Sequence, residues 1–212
     1  MSKPRLLDLF CGAGGCSMGY HRAGFDVVGV DINPQPHYPF EFHQADAMTF
    51  PLEGFDVIHA SPPCQAYSVL TPTDRKALHP DLIDAIRVRL QKSGRPYIIE
   101  NVPGARSKLI NPVMLCGTMF GLNTQRHRYF EAPWLVCLVP PCRHDKIPVV
   151  VSGTSKRLMN GKRRENLVSE CREAMETPWM TRAELDQAIP PAYTEWIGRQ
   201  LIEQIEGETP RR

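Results

Sequence analysis

No run of apolar residues approaches the roughly 18 that a membrane-spanning helix needs. The opening residues, Met1-Ser2-Lys3-Pro4-Arg5, reach the acid Asp8 without the apolar core of a secretory leader. The expectation is a cytoplasmic protein without a membrane partner. Excess charge is also lacking: 25 Lys and Arg against 23 Asp and Glu leave a net +2, which neither demands nor excludes a nucleic acid. There is no internal repeat and no low-complexity tract. No CxxC pair occurs, and the seven cysteines are scattered through 212 residues, a chain too long to need stapling. That excludes a disulfide framework and points to reduced thiols.

What is present is enough for one globular domain. Hydrophobic residues make up 42% and charged residues 23%, which rules out a mainly disordered chain. Twenty prolines suggest rigid turns and extended connections in place of a long helical bundle. The first 130 residues alternate between short β-like runs and helix-like or turn-rich pieces. Arg5 to Phe10, Val27 to Asp31, Phe55 to Ala60 and Tyr97 to Glu100 read as strands. Ser17 to Ala23 and Asp81 to Gln91 read as helices, the second with Leu82, Ile83, Ile86 and Leu90 at helical spacing. Strands rich in Val and Ile alternating with helices predict an α/β fold, a doubly wound and mostly parallel sheet covered on both faces. Three parts are expected: a core over 1–131, an insert over 132–168 and a return to the core over 169–212. The insert is rich in Pro and Val, and Arg143 to Arg164 holds seven Lys or Arg against the single acid Asp145. A last helix is read over Glu195 to Ile205.

Ligands of such sheets sit at the carboxyl ends of strands, and chemically capable residues stand there. Gly12-Ala13-Gly14-Gly15 lies between a strand and a helix, so its backbone can come close to a ligand. It is not the dinucleotide fingerprint, because the third glycine would fall on Ser17. Asp31, at the end of the next strand, can accept hydrogen bonds from a ribose diol. Cys64 follows Pro62-Pro63, a rigid backbone that would aim its thiol at the crevice. A nucleophilic thiolate needs an electropositive neighbour, for which Arg126 and Arg128 are candidates. Glu100 ends a further strand. Each also has a bland structural reading: a tight turn, a buried thiol, a solvated acid.

Asp8-Leu9-Phe10-Cys11-Gly12-Ala13-Gly14-Gly15, Pro63-Cys64-Gln65, Glu100-Asn101-Val102 and Gln125-Arg126-His127-Arg128 occur in that order. Together they resemble the sequence blocks of the DNA cytosine-5 methyltransferases, from about Arg5 to Phe130 and again at Arg172 to Met175 and Ala188 to Pro191. The resemblance implies a class I S-adenosylmethionine-dependent methyltransferase fold. It implies methyl transfer to C5 of a flipped-out cytosine in double-stranded DNA. For the cofactor, S-adenosylmethionine, it implies contacts from Phe10, Gly12, Gly14, Gly15, Asp31, Ile32, Asp46 and Ala47, with Asp31 on the ribose and Asp46 on the adenine amino group. For catalysis it implies Cys64 as nucleophile, Glu100 at cytosine N3, and Arg126 and Arg128 beside the target base. Gln65, Ser68, Arg157, Arg163 and Arg164 are expected on the DNA, with Asn160 a further base reader. Asp186-Gln187 stands where the family usually carries Gly-Asn, and the insert is short for a target-recognition domain.

A monomer acting alone is expected, with a partner subunit as the other arrangement. The rival functions are an RNA enzyme of the transfer-RNA type and a non-catalytic DNA binder. No metal is expected. Cys137, Cys142 and His144 offer three possible zinc ligands, with Cys116 or Cys171 as a distant fourth, but without a CxxC pair a Pro-rich loop of ordinary thiols is the simpler reading.

Overall fold

The computed structural model describes residues 3–135, 139, 141–145, 148–152, 157–159, 162–164 and 166–208; of 157–159, 162–164 and 206–208 the backbone alone is described. A seven-stranded sheet is built from β1 (Arg5–Leu9), β2 (Asp26–Asp31), β3 (Glu41–Gln44), β4 (Val57–Ala60), β5 (Tyr97–Asn101), β6 (Val113–Leu115) and β7 (Arg128–Glu131). Its order is β3-β2-β1-β4-β5-β7-β6. The first five strands are parallel, and β7 runs antiparallel to both β5 and β6. A separate hairpin pairs β8 (Arg157–Met159) with β9 (Lys162–Arg164), Arg157 opposite Arg164.

Strand alternation divides the core in two. Leu7, Leu9, Val28, Val30, Ile58 and Ile99 line one face, where Ile83, Ile86 and Leu90 of helix α2 (Ile83–Ser93) cover them. Leu6, Val27, Val57 and Ile98 line the other, beneath α1 (Gly15–Ala23) and Tyr193, Ile197 and Leu201 of α5 (Pro191–Glu208). Burying each of these side chains contributes about 1.5–3 kcal/mol. Because both faces are covered, the central strands read as unbroken apolar runs. α1 and α5 pack unusually close, because a Cβ on Gly19 would stand 2.7 Å from the Glu195 amide and one on Gly198 2.8 Å from Ala23 Cβ. Two further helices, α3 (Val168–Met175) and α4 (Arg182–Gln187), sit over a small cluster of Ala13, Val151, Cys171, Met175, Met180 and Leu185.

Some boundaries differ from the sequence reading. The last helix begins at Pro191, four residues before Glu195, because proline suits the first helical turn where its missing N–H costs nothing. The α2 helix begins at Ile83. The 132–168 stretch carries a short hairpin, and among its described residues no helix before α3 begins at Val168. No helix among the described residues is long and apolar enough to cross a membrane.

A buried ion pair joins the parallel half to the antiparallel edge. Arg87 of α2 donates from Nε and Nη2 to the two carboxylate oxygens of Glu131 on β7, at 2.8 and 2.9 Å. The Ile110 amide donates to the same carboxylate at 2.9 Å, so the fully buried acid is satisfied by a charge-assisted fork and a backbone donor.

Candidate active site

The chain leaves β1 in one direction to build β2 and β3, and returns to the other side to build β4 and β5. The carboxyl ends of β1 and β4 therefore flank a topological switch point, where open α/β sheets form a crevice. Phe10 to Gly15, Asp31, Asp46, Cys64 and Glu100 all belong to the strand ends or following turns at this edge of the sheet.

Positive φ at Phe10 (60°), Gly12 (50°) and Gly14 (82°) coils the turn after β1. A Cβ on Gly12 would meet nothing within 4 Å, so that side of the loop is open; one on Gly14 would lie 2.8 Å from Pro39 Cδ and 3.0 Å from Tyr38 Cδ2. Gly15 is closed off by the Ile189 carbonyl of the C-terminal segment, and Trp179 Nε1 donates to the Ala13 carbonyl at 2.8 Å. The late blocks of the sequence thus brace the early glycine loop.

Asp31 accepts from the Gly12 amide at 3.1 Å and the Asn33 amide at 2.9 Å. Ile32 beside it is 65% exposed, an apolar side chain left uncovered at the rim. Asp46 follows β3 and accepts from the Met48 amide at 2.8 Å. Ala47 is placed differently from a ligand-facing residue. Its methyl belongs to the buried core and its carbonyl is taken by Arg89 Nη1 at 3.0 Å.

Beneath the glycine loop lies a buried polar group that sequence reasoning gave no role. The Ser17 hydroxyl hydrogen-bonds the Asp8 carboxylate and lies 2.8 Å from the Tyr38 hydroxyl. Burial, opposed by the Ser17 hydrogen bond, raises the Asp8 carboxyl to about 7. Its second oxygen has no hydrogen-bond partner. Nothing in the sequence marks Asp8 as buried except its place in an apolar strand.

On the other side of the switch point, Asn101 Nδ2 donates to the Pro62 carbonyl at 3.0 Å and ties the Pro62-Pro63-Cys64 turn to β5. The Cys64 carbonyl accepts from the Tyr67 and Ser68 amides, both at 2.9 Å, which turns the chain just past the thiol. Cys64 is half-buried. Burial and the nearby Glu100 charge push its thiol above the usual range, while Arg128 and Arg126 pull it back. Glu100 is buried, not solvated. Burial raises its carboxyl, opposed by Arg128, Ser61 and Arg126. Arg128 Nε lies 3.3 Å from Glu100 Oε1 as an ion pair, yet that oxygen accepts no hydrogen bond.

Arg126 is buried and donates from Nη2 to the Asp186 carbonyl at 2.6 Å, leaving its Nε without a partner. The Asp186-Gln187 turn therefore holds an arginine through its backbone. Arg126 and Arg128 line a cavity of about 200 Å³ together with Thr124, Gln125 and the 148–152 stretch. Cys64 and Glu100 are not among the residues that line it.

The residues expected on a nucleic acid are spread more widely. Gln65 is exposed, and the Ser68 hydroxyl accepts from the Leu70 amide at 3.1 Å. Val69, Leu70 and Leu78 nearby are 63–89% exposed. Arg157, Arg163 and Arg164 lie on the hairpin, where backbone register alone is described. Asn160 and Cys137 lie outside the described residues. The expectation of no metal meets a cluster of which Cys142, His144 and the distant Cys116 were already candidate ligands: Cys116 and Cys142 approach His127 and His144. His127 was missed because it was read only as a spacer between two arginines. Cys171 is elsewhere, against Arg182 Nη1 at 3.3 Å.

A family model described as C-5 cytosine-specific DNA methylase matches residues 4–114. Type II methyltransferase M.XorII of Xanthomonas oryzae is 27% identical over 124 residues, 49% of this chain and 29% of that protein. M.AplI of Arthrospira platensis is 35% identical over 116 residues, 47% and 31% of the two chains. M.HgiGI of Herpetosiphon aurantiacus is 26% identical over 122 residues, 50% and 97%. The match thus spans about a third of the length of the first two relatives. Among solved structures, the methyltransferase EhMeth of Entamoeba histolytica superposes with a TM-score of 0.66 at 13% identity, covering 97% of this chain and 99% of its own. The Dnmt2 methyltransferase of S. pombe gives 0.62 at 13%, with 96% and 99% covered. At such identity these two speak for the fold.

Proposed function

The chain belongs to the C-5 cytosine-specific DNA methylase family, and from that premise we propose that it transfers a methyl group to C5 of a cytosine in DNA. The observation that carries the reading is the pairing of a half-buried Cys64 thiol with a buried Glu100 whose Oε1 accepts no hydrogen bond, beside Arg126 and Arg128. A buried acid with a raised affinity for protons, whose unpartnered oxygen can carry the proton and donate it, suits a ring nitrogen that must gain a proton or hydrogen bond during reaction.

Cytosine C5 is a weak nucleophile until a thiolate adds to C6. In the proposed reaction the Cys64 thiolate forms a bond to C6, and protonated Glu100 donates its proton to N3 and is left as the carboxylate, regaining the proton when the thiolate leaves. The ring becomes an enamine and C5 gains its methyl. Loss of the C5 proton to a base then reforms the double bond and expels the thiolate. The two arginines hold the thiol and the acid in register and favour the thiolate. The base must leave the stack, at a cost of a few kcal/mol.

The residues present fit S-adenosylmethionine, which supplies the electrophilic methyl. The open side of Gly12, the Asp31 carboxylate, the uncovered Ile32 and Asp46 would hold it, with Phe10, Gly14 and Gly15 shaping the turn. Ala47 would contribute through its backbone amide.

On this reading residues 1–131 and 169–212 form the catalytic body, acting as a monomer in the cytosol on double-stranded DNA. Residues 132–168 make a short recognition insert. A two-stranded ribbon fits a major groove, so the basic β8–β9 hairpin, with Arg157, Arg163 and Arg164, would read a short or degenerate target, with Asn160 as a further proposed base reader. Gln65 and Ser68 would meet the strand at the opened base pair. Purified protein should convert cytosine to 5-methylcytosine in random-sequence DNA, and sequencing of modified cytosines reads base and target together. Modification of transfer RNA with none on DNA would overturn the substrate, and no modification of either would overturn the enzyme.

A further inference from the structure

Three separate stretches of chain bring two thiols and two imidazoles together. Cys116 follows the end of β6, His127 immediately precedes β7, and Cys142 and His144 belong to the insert. One ligand atom from each lies within 4.8 Å of all the others. Cys116 Sγ is 3.5 Å from His144 Nε2, and Cys142 Sγ is 3.4 Å from His127 Nε2 and 2.9 Å from His144 Nε2. The two rings stack at 5.1 Å, tilted by 28°.

Zinc bonds of about 2.3 Å to sulfur and 2.0–2.1 Å to nitrogen, arranged tetrahedrally, put their ligand atoms about 3.4–3.8 Å apart. Two of these three sulfur–nitrogen distances match that spacing, the third must open by well under an ångström, and all remaining pairs lie within 4.8 Å. Two Cys and two His make a complete set for a closed structural site. The Thr118 hydroxyl, 3.2 Å from Cys116 Sγ and 3.9 Å from Cys142 Sγ, can donate to a thiolate as an outer support.

The surroundings explain why such a site is useful. No described residue from 139 to 150 is buried, so this part of the insert has no apolar core of its own. Short segments without a core depend on disulfides, metals or partners to hold a shape.

We infer that Cys116, His127, Cys142 and His144 bind a structural zinc ion that fastens the start of the insert to the root of strand β7. Binding converts both thiols to thiolates and releases their two protons to solvent, so the ion and its ligands are neutral together. The ion also fixes His127, whose carbonyl accepts from Arg128 Nη1 at 2.8 Å and which separates Arg126 from Arg128. The clamp would thus position the arginines that face Glu100. Metal binding itself rests on the cluster geometry alone, and zinc content is measured without DNA or methyl donor.

The full chain, purified under reducing conditions without chelator, should carry one zinc per chain by elemental analysis. After removal of zinc and reloading with cobalt(II), it should show the intense visible bands of a tetrahedral ion and thiolate-to-cobalt charge transfer in the near ultraviolet. Cys142→Ala and His144→Ala should lose both signatures. His144→Cys should keep a tetrahedral ion with stronger charge transfer, and Cys171→Ala should bind as the parent does. Wild-type protein without stoichiometric zinc and with only octahedral cobalt would overturn the site. So would an unchanged cobalt spectrum in both alanine variants.

Discussion

The body around the switch point and the 132–168 insert keep their residues in place by different means. In the body, side chains at strand ends hang from a sheet buried on both faces, and backbone bonds finish the placement, as between the Gly12 amide and Asp31. In the insert, Ala132 and Val151 are the buried apolar residues among those described. Among its described residues, partly buried Trp134, Leu135, Val139 and Val149 pack against the core clusters, and polar links add to them: the Val149 amide to the Asn123 carbonyl at 2.8 Å, Asn166 Nδ2 to the Val150 carbonyl at 3.0 Å, and the Cys/His cluster. On the proposed reading, chemistry that needs fixed geometry would sit on the body, and target contacts on the segment outside it.

The sharpest way to separate the two regions is to remove the thiol. Cys64→Ser should reduce methyl transfer to background while leaving fold and cofactor affinity near the parent values, because an alcohol at neutral pH is a far weaker nucleophile. Radiolabel transfer and cofactor calorimetry on the same sample would show it.

The next largest effect tests the scaffold. Glu131→Ala leaves Arg87 buried and unpaired, and should cost about 3–5 kcal/mol of stability in denaturant unfolding. A loss below 1 kcal/mol would mean that the body does not depend on this pair.

Asp31→Ala should weaken cofactor binding at least tenfold, in line with about 1.5–3 kcal/mol for a charge-assisted hydrogen bond. DNA affinity should change little. Equal losses for both ligands in calorimetry would show that the site is not partitioned in this way.

A further test is a pH slope. The Asp8 carboxyl, ordinarily near 3.8, stands at about 7 in the fold. The folded chain keeps a proton there that the unfolded chain releases. This contribution is full below the ordinary value and is lost as pH rises towards and through 7. Asp8→Asn should flatten that fall, measured as melting temperature against pH.

Much of the body was legible because its strands are buried on both faces. Leu6-Leu7, Val27-Val28 and Ile98-Ile99 are unbroken apolar pairs, and Gly or Pro closes each unit. Strand β3, Glu-Phe-His-Gln, was not legible, because an exposed edge strand needs no apolar pattern. Nor was β7, whose Glu131 is buried only by virtue of an arginine 44 residues earlier. Of the Cys/His cluster, Cys116, Cys142 and His144 were candidate ligands from the sequence, and His127 was missed for a similar reason. The cluster's ligands come from three stretches, and only the pairing of β6 with β7 brings Cys116 beside His127. Local spacing carries no information about such contacts.

Central to the account is a covalent bond between Cys64 and the target base, and a trapped adduct reads it most directly. The protein, S-adenosylmethionine and DNA containing 5-fluorocytosine should yield a complex that survives denaturation, because fluorine cannot leave as the C5 proton does. Peptide mass spectrometry should place the nucleotide on Cys64, and Cys64→Ser should form none. Methylation of ordinary DNA without any trapped adduct, or an adduct on another cysteine, would contradict the account.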